Sequence, residues 1–379
     1  MAYPFTIIIL GYRRLYSLQR LLISLLDAAI ATEKREPFQL IISLDYGAAD
    51  EVIHFSKNFF TQHFHIKVIL HEKPLGPDKH NLWAMEQSEN IEAVLVLEDD
   101  LMVSPSIFHY AVNAYNFYRN DEHIAGISLY NYERNEVCDY PFLKNQDGSA
   151  GYFYQKACSR GLLITKQQWH NFKAFKKSKV NVDLPIRYEN WSDEIWEKQF
   201  NTFLIHECKY WVYPHVSLTT NFGEMGVHVN KKTYRHAFQS VMQQGVQESY
   251  HFILLERSKA VYDAYGEAVR ISGFEQDEIT CDILGIRNLS KIKTKYILTS
   301  RHCMKSIEGY ALDLMPPELN VTHHLRGNDL MISEVQLVDE NYFQKQKRLL
   351  KLHYYFYPDR GIIHLLRLKI LEIINRLLD

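Results

Sequence analysis

Apolar positions along this chain follow two rhythms. Uninterrupted runs occur at FTIIIL (5–10), in FQLIISLDYG (38–47), in HIKVILHE (65–72) and in AVLVLEDD (93–100). Runs this short and this apolar predict strands, the second and fourth of them buried. Between them, residues 15–31 repeat apolar positions at helical spacing, residues 48–63 read as helix, and 73–88 begin as a loop and become helical. Strand, helix, strand, helix, strand, loop-helix, strand is the grammar of a parallel α/β sheet. Beyond residue 105 the pattern is mixed. It predicts a helix at 106–119, a strand at 124–130, a strand-like KYWVYPHVSLT and a helix at 250–272. Short strand candidates at 292–338 predict a small accessory β unit, and the last 19 residues an amphipathic helix. The expected division is a catalytic domain over 1–240, an accessory helical and β region over 241–340, and a basic amphipathic tail over 341–379.

Charge changes the picture in two places. Net charge is −2, so the chain as a whole carries no nucleic-acid footprint. Residues 341–379, however, hold eight Lys or Arg against three Asp or Glu, a local +5 that leaves −7 for the rest. A basic amphipathic tail on an acidic body predicts either docking of its helix onto the protein's own body or a second subunit, or a peripheral contact with an anionic membrane. Five scattered cysteines without C-x-x-C spacing argue against a disulfide framework or a zinc site. No basic n-region precedes the first apolar run, so the expected location is cytoplasmic, peripheral on the inner face of the membrane.

The fourth predicted strand runs straight into Glu98, Asp99 and Asp100. In parallel α/β sheets ligands bind at the carboxyl ends of strands. Arg13, Arg14 and Asp45 also fall at such ends. Clustered carboxylates repel one another and persist where a cation or hydrogen bonds offset the charge. Their oxygens suit Mg²⁺ or Mn²⁺, which take their remaining ligands from water and phosphates. The plainer alternative for Asp45 is a cap on the helix that follows it.

Six segments in order carry a resemblance: IISLDYG, HNLWAME, VLVLEDDLMVSPSIF, ACSRGLLITKQQW, NWSDEIW and SLTTNFGEMGVHVN. Together they resemble GT-A glycosyltransferases of the N-acetylglucosaminyltransferase I type, with an EDD version of the DxD motif, over roughly residues 4–235. The resemblance implies a GT-A fold, a Rossmann-like mixed α/β sheet, with a C-terminal α+β extension and a terminal amphipathic helix. It implies Asp100 as the metal ligand, with Glu98 and Asp99 near ribose, donor sugar or metal-bound water. Asp45 would meet the uracil edge, His80 the nucleotide, and Arg13 or Arg14 the base or diphosphate. Asp193 aligns best with the general base, and Glu194 stands as its alternative because Ser192 separates the acids from Trp191. His228 would contact the donor phosphate, although the family serine between Val227 and His228 is absent. The implied activity is transfer of a sugar, GlcNAc among the candidates, from a UDP-sugar to a hydroxyl of a glycan or lipid-linked glycan in bacterial surface polysaccharide synthesis. The rival classes are a nucleotidyltransferase and a glycan-binding scaffold on the same fold.

Overall fold

The computed structural model describes residues 3–33, 36–178, 180–221 and 239–358. His228 and the final amphipathic segment lie outside the described residues. The chain divides into two compact units, Met1–Glu133 with Gln146–Ala264, and Arg134–Asn145 with Tyr265–Asp379.

The first unit opens as the apolar rhythm predicts. It runs β1 (Thr6–Gly11), α1 (Leu15–Ala31), β2 (Phe38–Leu44), α2 (Asp50–Asn58), β3 (Phe64–Leu70), α3 (Gly76–Glu86) and β4 (Ala93–Glu98). It continues with β5 (Leu101–Val103), α4 (Ile107–Tyr118), β6 (Ile124–Ser128), β7 (Gly151–Tyr154), β8 (Leu162–Thr165) and α5 (Lys166–Phe175). It ends with α6 (Ile186–Glu189), α7 (Trp196–His206), β9 (Tyr210–Pro214), β10 (Thr219–Asn221) and β11 (Val261–Tyr262). Every residue of β1 is buried, as an apolar strand with both faces covered must be. On α1, Leu18, Leu21, Leu22, Leu25, Ala28 and Ala29 form one buried stripe at helical spacing.

Nine strands form one mixed sheet in the order β11-β7-β9-β6-β8-β4-β1-β2-β3. Strands β1 to β4 are parallel, whereas β8 runs antiparallel to both β4 and β6. The fold class is therefore α/β with a Rossmann-like mixed sheet. From β1 the chain moves outward to β2 and β3, then returns to place β4 on the other side of β1. This reversal between β1 and β4 is the switch point at which open α/β sheets leave a crevice. Backbone bonds continue just past the strand ends there, from Asp45 N to Gly11 O at 3.1 Å and from Asp99 N to Leu10 O at 3.0 Å.

Residues 250–272 are not the expected helix. They form an extended segment with a single 3-10 turn at Leu255–Arg257 and the edge strand β11. Its backbone serves the sheet edge instead, accepting from Ala150, Phe153 and Gln155. Phe252 packs edge-on against Tyr110 and Tyr118. Pairing and aromatic packing override the local periodicity.

The second unit carries β12 (Ile279–Asp282), β13 (Tyr296–Thr299), β14 (Glu308–Tyr310), α8 (Leu319–Thr322), β15 (Leu330–Glu334) and α9 (Tyr342–Phe356). Its four strands make a separate sheet in the order β12-β13-β15-β14.

Candidate active site

Glu98 ends β4, and Asp99 and Asp100 form the tight turn into β5. That turn is locked on both sides. Strand β5 pairs with β10, and Val103 N donates to Ser24 Oγ of α1 at 3.2 Å. Asp99 and Asp100 are only 3 % and 7 % exposed. Arg14, the N-cap of α1, makes no cap bond with its own helix and spans both acids instead. Its Nη1 donates to Asp100 Oδ2 at 2.7 Å and its Nη2 to Asp99 Oδ1. Tyr12 N donates to Asp99 Oδ2 at 3.3 Å.

One guanidinium among three carboxylates leaves the cluster short of positive charge. Burial, then repulsion from Asp100, pushes Glu98 up to about 8 against the bond from Asn81. Burial raises Asp99 to about 6, with Arg14 opposing and Asp100 adding to the shift. Burial alone would lower Arg14, but its two partners raise it, so it stays a cation. Asp100 Oδ1 is buried with no hydrogen-bond partner. Among the described residues no group of three His, Cys, Asp or Glu side chains is placed to hold a metal by itself. The chemistry still fits a divalent ion. A hard cation held by one or two protein oxygens takes its other ligands from water and phosphate, and it would offset the excess charge.

The other sequence-predicted residues lie beside β2 and on α3. Arg13 turns away from the acids, its guanidinium 4.6 Å from the Tyr12 ring and its Nε donating to Gly47 O at 3.1 Å. Asp45 is a cap, though not of the helix that follows it. It accepts from Leu75 N at 2.9 Å and Gly76 N at 2.8 Å, satisfying donors at the start of α3, and from Tyr46 N at 2.7 Å. Burial would raise its carboxyl, but these three N–H groups hold it below its ordinary value. His80 is buried, with Nε2 2.7 Å from Ser43 Oγ, and His71 Nε2 approaches the same oxygen at 2.9 Å.

Burial, then repulsion from His71, lowers His80 to about 4 despite the opposing charge of Asp45. The unfolded chain, with an ordinary value of 6.5, then binds more protons than the folded one between those limits. Stability is whole above pH 6.5 and is lost as pH falls toward 4, by on the order of 3 kcal/mol. His80→Gln is therefore expected to flatten the pH dependence of the urea midpoint between pH 7.5 and 4.5. An equal fall in both proteins would contradict a buried neutral imidazole.

Asp193 and Glu194 precede α7 and stand in solvent. The Asp193 side chain is 94 % exposed and meets Lys198 Nζ at 2.7 Å. That hydrogen bond and the lysine charge keep its carboxyl below the usual range. Lys198 also donates to the carbonyls of Glu189 and Trp191, pinning the turn that carries Asp193. Three further residues enter the neighbourhood unanticipated. Asp78 Oδ1 of α3 accepts from Trp196 N at 3.0 Å and so caps α7. Glu197 Oε1 accepts from Ser159 N at 3.1 Å, and its charge adds to the upward shift of Glu98. Asn81 bonds Glu98 directly. Asn81 adjoins His80 in HNLWAME, and that adjacency was its only signal in the sequence.

The segment between β7 and β8 brings cations against aromatic rings. Arg160 lies 5.0 Å from the Tyr130 ring, and the buried Lys156 lies 4.4 Å from the Tyr188 ring. Gly161 follows with φ +93°, and a Cβ there would meet Thr219 Cγ2 at 2.9 Å, so only glycine suits this turn.

No protein-family model matches the chain, and no curated protein matches it. Among solved structures it is similar to S. aureus TarS 1–349 in complex with UDP-GlcNAc, at 14 % identity and a TM-score of 0.39, over 60 % of each chain. It is similar to the mannosyltransferase PcManGT from Pyrobaculum calidifontis in complex with GDP-Man and Mn²⁺, at 8 % identity and a TM-score of 0.35, over 57 % of this chain and 58 % of that one. It is also similar to GalNAc-T7 with UDP, GalNAc and Mn²⁺, at 11 % identity and a TM-score of 0.35, over 56 % and 42 %. The chain thus spans about three-fifths of the length of TarS 1–349.

Proposed function

We propose that this protein is a metal-dependent inverting glycosyltransferase that moves a sugar from a UDP-sugar to a hydroxyl of a glycan or lipid-linked glycan, in the assembly of a bacterial surface polysaccharide. The observation that carries the reading is the Glu98-Asp99-Asp100 cluster at the β1/β4 switch point, with Asp100 Oδ1 buried and unpartnered. Asp100 would hold Mn²⁺ or Mg²⁺ through that oxygen while Arg14 fixes the other. A bound divalent ion supplies charge neutralisation to a departing diphosphate. Asp99, fastened by Arg14 and Tyr12 N, keeps the turn in register. Asp193, exposed and paired with Lys198, would take the acceptor's proton as its oxygen attacks. A nucleotidyltransferase would usually place a glycine-rich loop with a lysine after the first strand, where this chain has Gly11, Tyr12, Arg13 and Arg14.

The test is calorimetric titration with a panel of nucleoside diphosphates, with Mn²⁺ and with EDTA. UDP is expected to bind with metal and to be released by EDTA, and UDP-GlcNAc is the first donor to assay. Failure of every diphosphate to bind the folded protein would leave the glycan-binding scaffold as the better reading.

The same reading includes a peripheral membrane contact through residues 341–379. Among the described residues no helix is long and apolar enough to cross a membrane. On α9, Arg348, Leu352 and Phe356 are buried, while Phe343 is 82 % exposed and Leu350 and Tyr354 share its outward face. Lys345 and Lys347 lie exposed on the same helix, which contains no acid. Exposed aromatics with basic neighbours suit an anionic interface. Flotation with vesicles containing an anionic lipid is expected to recover the protein, and Phe343→Ser with Leu350→Ser to reduce that recovery several-fold. Equal recovery with neutral vesicles would count against the contact.

A further inference from the structure

Asn81 carries a second oxygen of the kind that marks Asp100. It follows His80 on α3, and the 100° step between neighbouring helical positions turns the two side chains to different partners. His80 reaches Ser43, and Asn81 reaches Glu98. Asn81 is 2 % exposed. Its Nδ2 donates to Pro77 O at 3.1 Å and to Glu98 Oε1 at 3.2 Å. The Pro77 carbonyl can only accept, so the amide has one sensible orientation, because a flip would set oxygen against that oxygen. Oδ1 is thereby turned away from both, and it is buried with no hydrogen-bond partner.

Unpaired buried acceptors are rare and call for a reason. Here two occur on residues joined through one cluster, Asn81 Oδ1 and Asp100 Oδ1. Carboxamide oxygens are ordinary ligands of hard divalent cations. A neutral ligand also adds an oxygen without adding to the repulsion among three carboxylates. We propose that Asn81 is the second protein residue that holds the divalent cation, its Oδ1 acting together with Asp100 Oδ1. Arg14 then remains on Asp100 Oδ2 and Asp99 as the fixed counter-charge, and the ion enters beside it. This inference rests on the metal-dependent reading above.

The test is Mn²⁺ titration followed by loss of the free-ion electron paramagnetic resonance signal, with UDP present, on the full chain. Asn81→Ala is expected to weaken Mn²⁺ binding about 10-fold or more. Asn81→Asp keeps an oxygen but loses both amide donations, and is expected to bind Mn²⁺ at least as well as the unaltered protein. A residue that merely held Glu98 and Pro77 would fail equally in both variants, and that result would overturn the proposal. Asp100→Ala separates the two levels. Loss of Mn²⁺ in Asp100→Ala with unchanged binding in Asn81→Ala removes Asn81 alone, whereas no binding by the unaltered protein removes the metal reading itself. If either variant does not fold, broadening of the Asn81 side-chain amide resonance by Mn²⁺ in the unaltered protein decides the question, and an unbroadened signal overturns it.

Discussion

Asp100→Ala is expected to abolish metal-dependent UDP binding and to reduce sugar transfer by ~10²-fold or more, beyond the 10- to 100-fold typical for outer-shell partners of a metal site. The reason is local. Asp99 is already engaged on both oxygens by Arg14 and Tyr12 N, and Glu98 is raised toward its protonated form, so neither replaces the lost ligand. The fold is expected to survive, because Arg14 keeps Asp99 and the turn stays tied to β5 and β10. Removing Asp100 takes away one charge that raises Glu98 and Asp99, but burial, the larger cause of both shifts, remains. Calorimetry of UDP with Mn²⁺, beside circular dichroism, checks this. Retained metal-dependent binding in a folded variant would show that Asp100 does not hold the ion.

How much of this was legible depends on the range of the interaction. The strands β1, β2 and β4 were readable because burial on both faces demands continuous apolar residues, and the acids stood out because they end such a run. The choice between Arg13 and Arg14 was not readable. Both are basic and adjacent, and only the phase of the chain as it enters α1 turns one to Gly47 and the other to the acids. Asp45 showed its position but not its bonds, which reach thirty residues forward to α3. The segment 250–272 misled because its apolar spacing satisfies a sheet edge and an aromatic cluster rather than a helix face.

Helix α3 links β2, the end of β4 and the start of α7. Asp45 caps its start, its Asp78 caps α7, and its Asn81 holds Glu98. Each contact is a backbone or amide bond between residues far apart in sequence. A shift of α3 would therefore move Glu98 and the start of α7 together.

That coupling sharpens the second large prediction. Asp193→Asn is expected to lower kcat by ~10²–10⁴-fold, the usual worth of a general base, while UDP binding stays unchanged. Its side chain is exposed and outside the carboxylate cluster, so stability should move by no more than about 0.5 kcal/mol. Lys198 keeps the carboxyl ionised at neutral pH, so the acid limb of kcat should fall below the ordinary aspartate value of about 3.9. Glu194→Gln and Glu197→Gln are the controls. Glu194 stands in solvent beside Asp193, whereas Glu197 accepts from Ser159 N and acts on Glu98 through its charge. Loss of kcat in Asp193→Asn alone assigns the proton to Asp193. Unchanged kcat in both Asp193→Asn and Glu194→Gln, with a deep loss in Glu197→Gln, would move the base inward to the acid that already senses the carboxylate cluster.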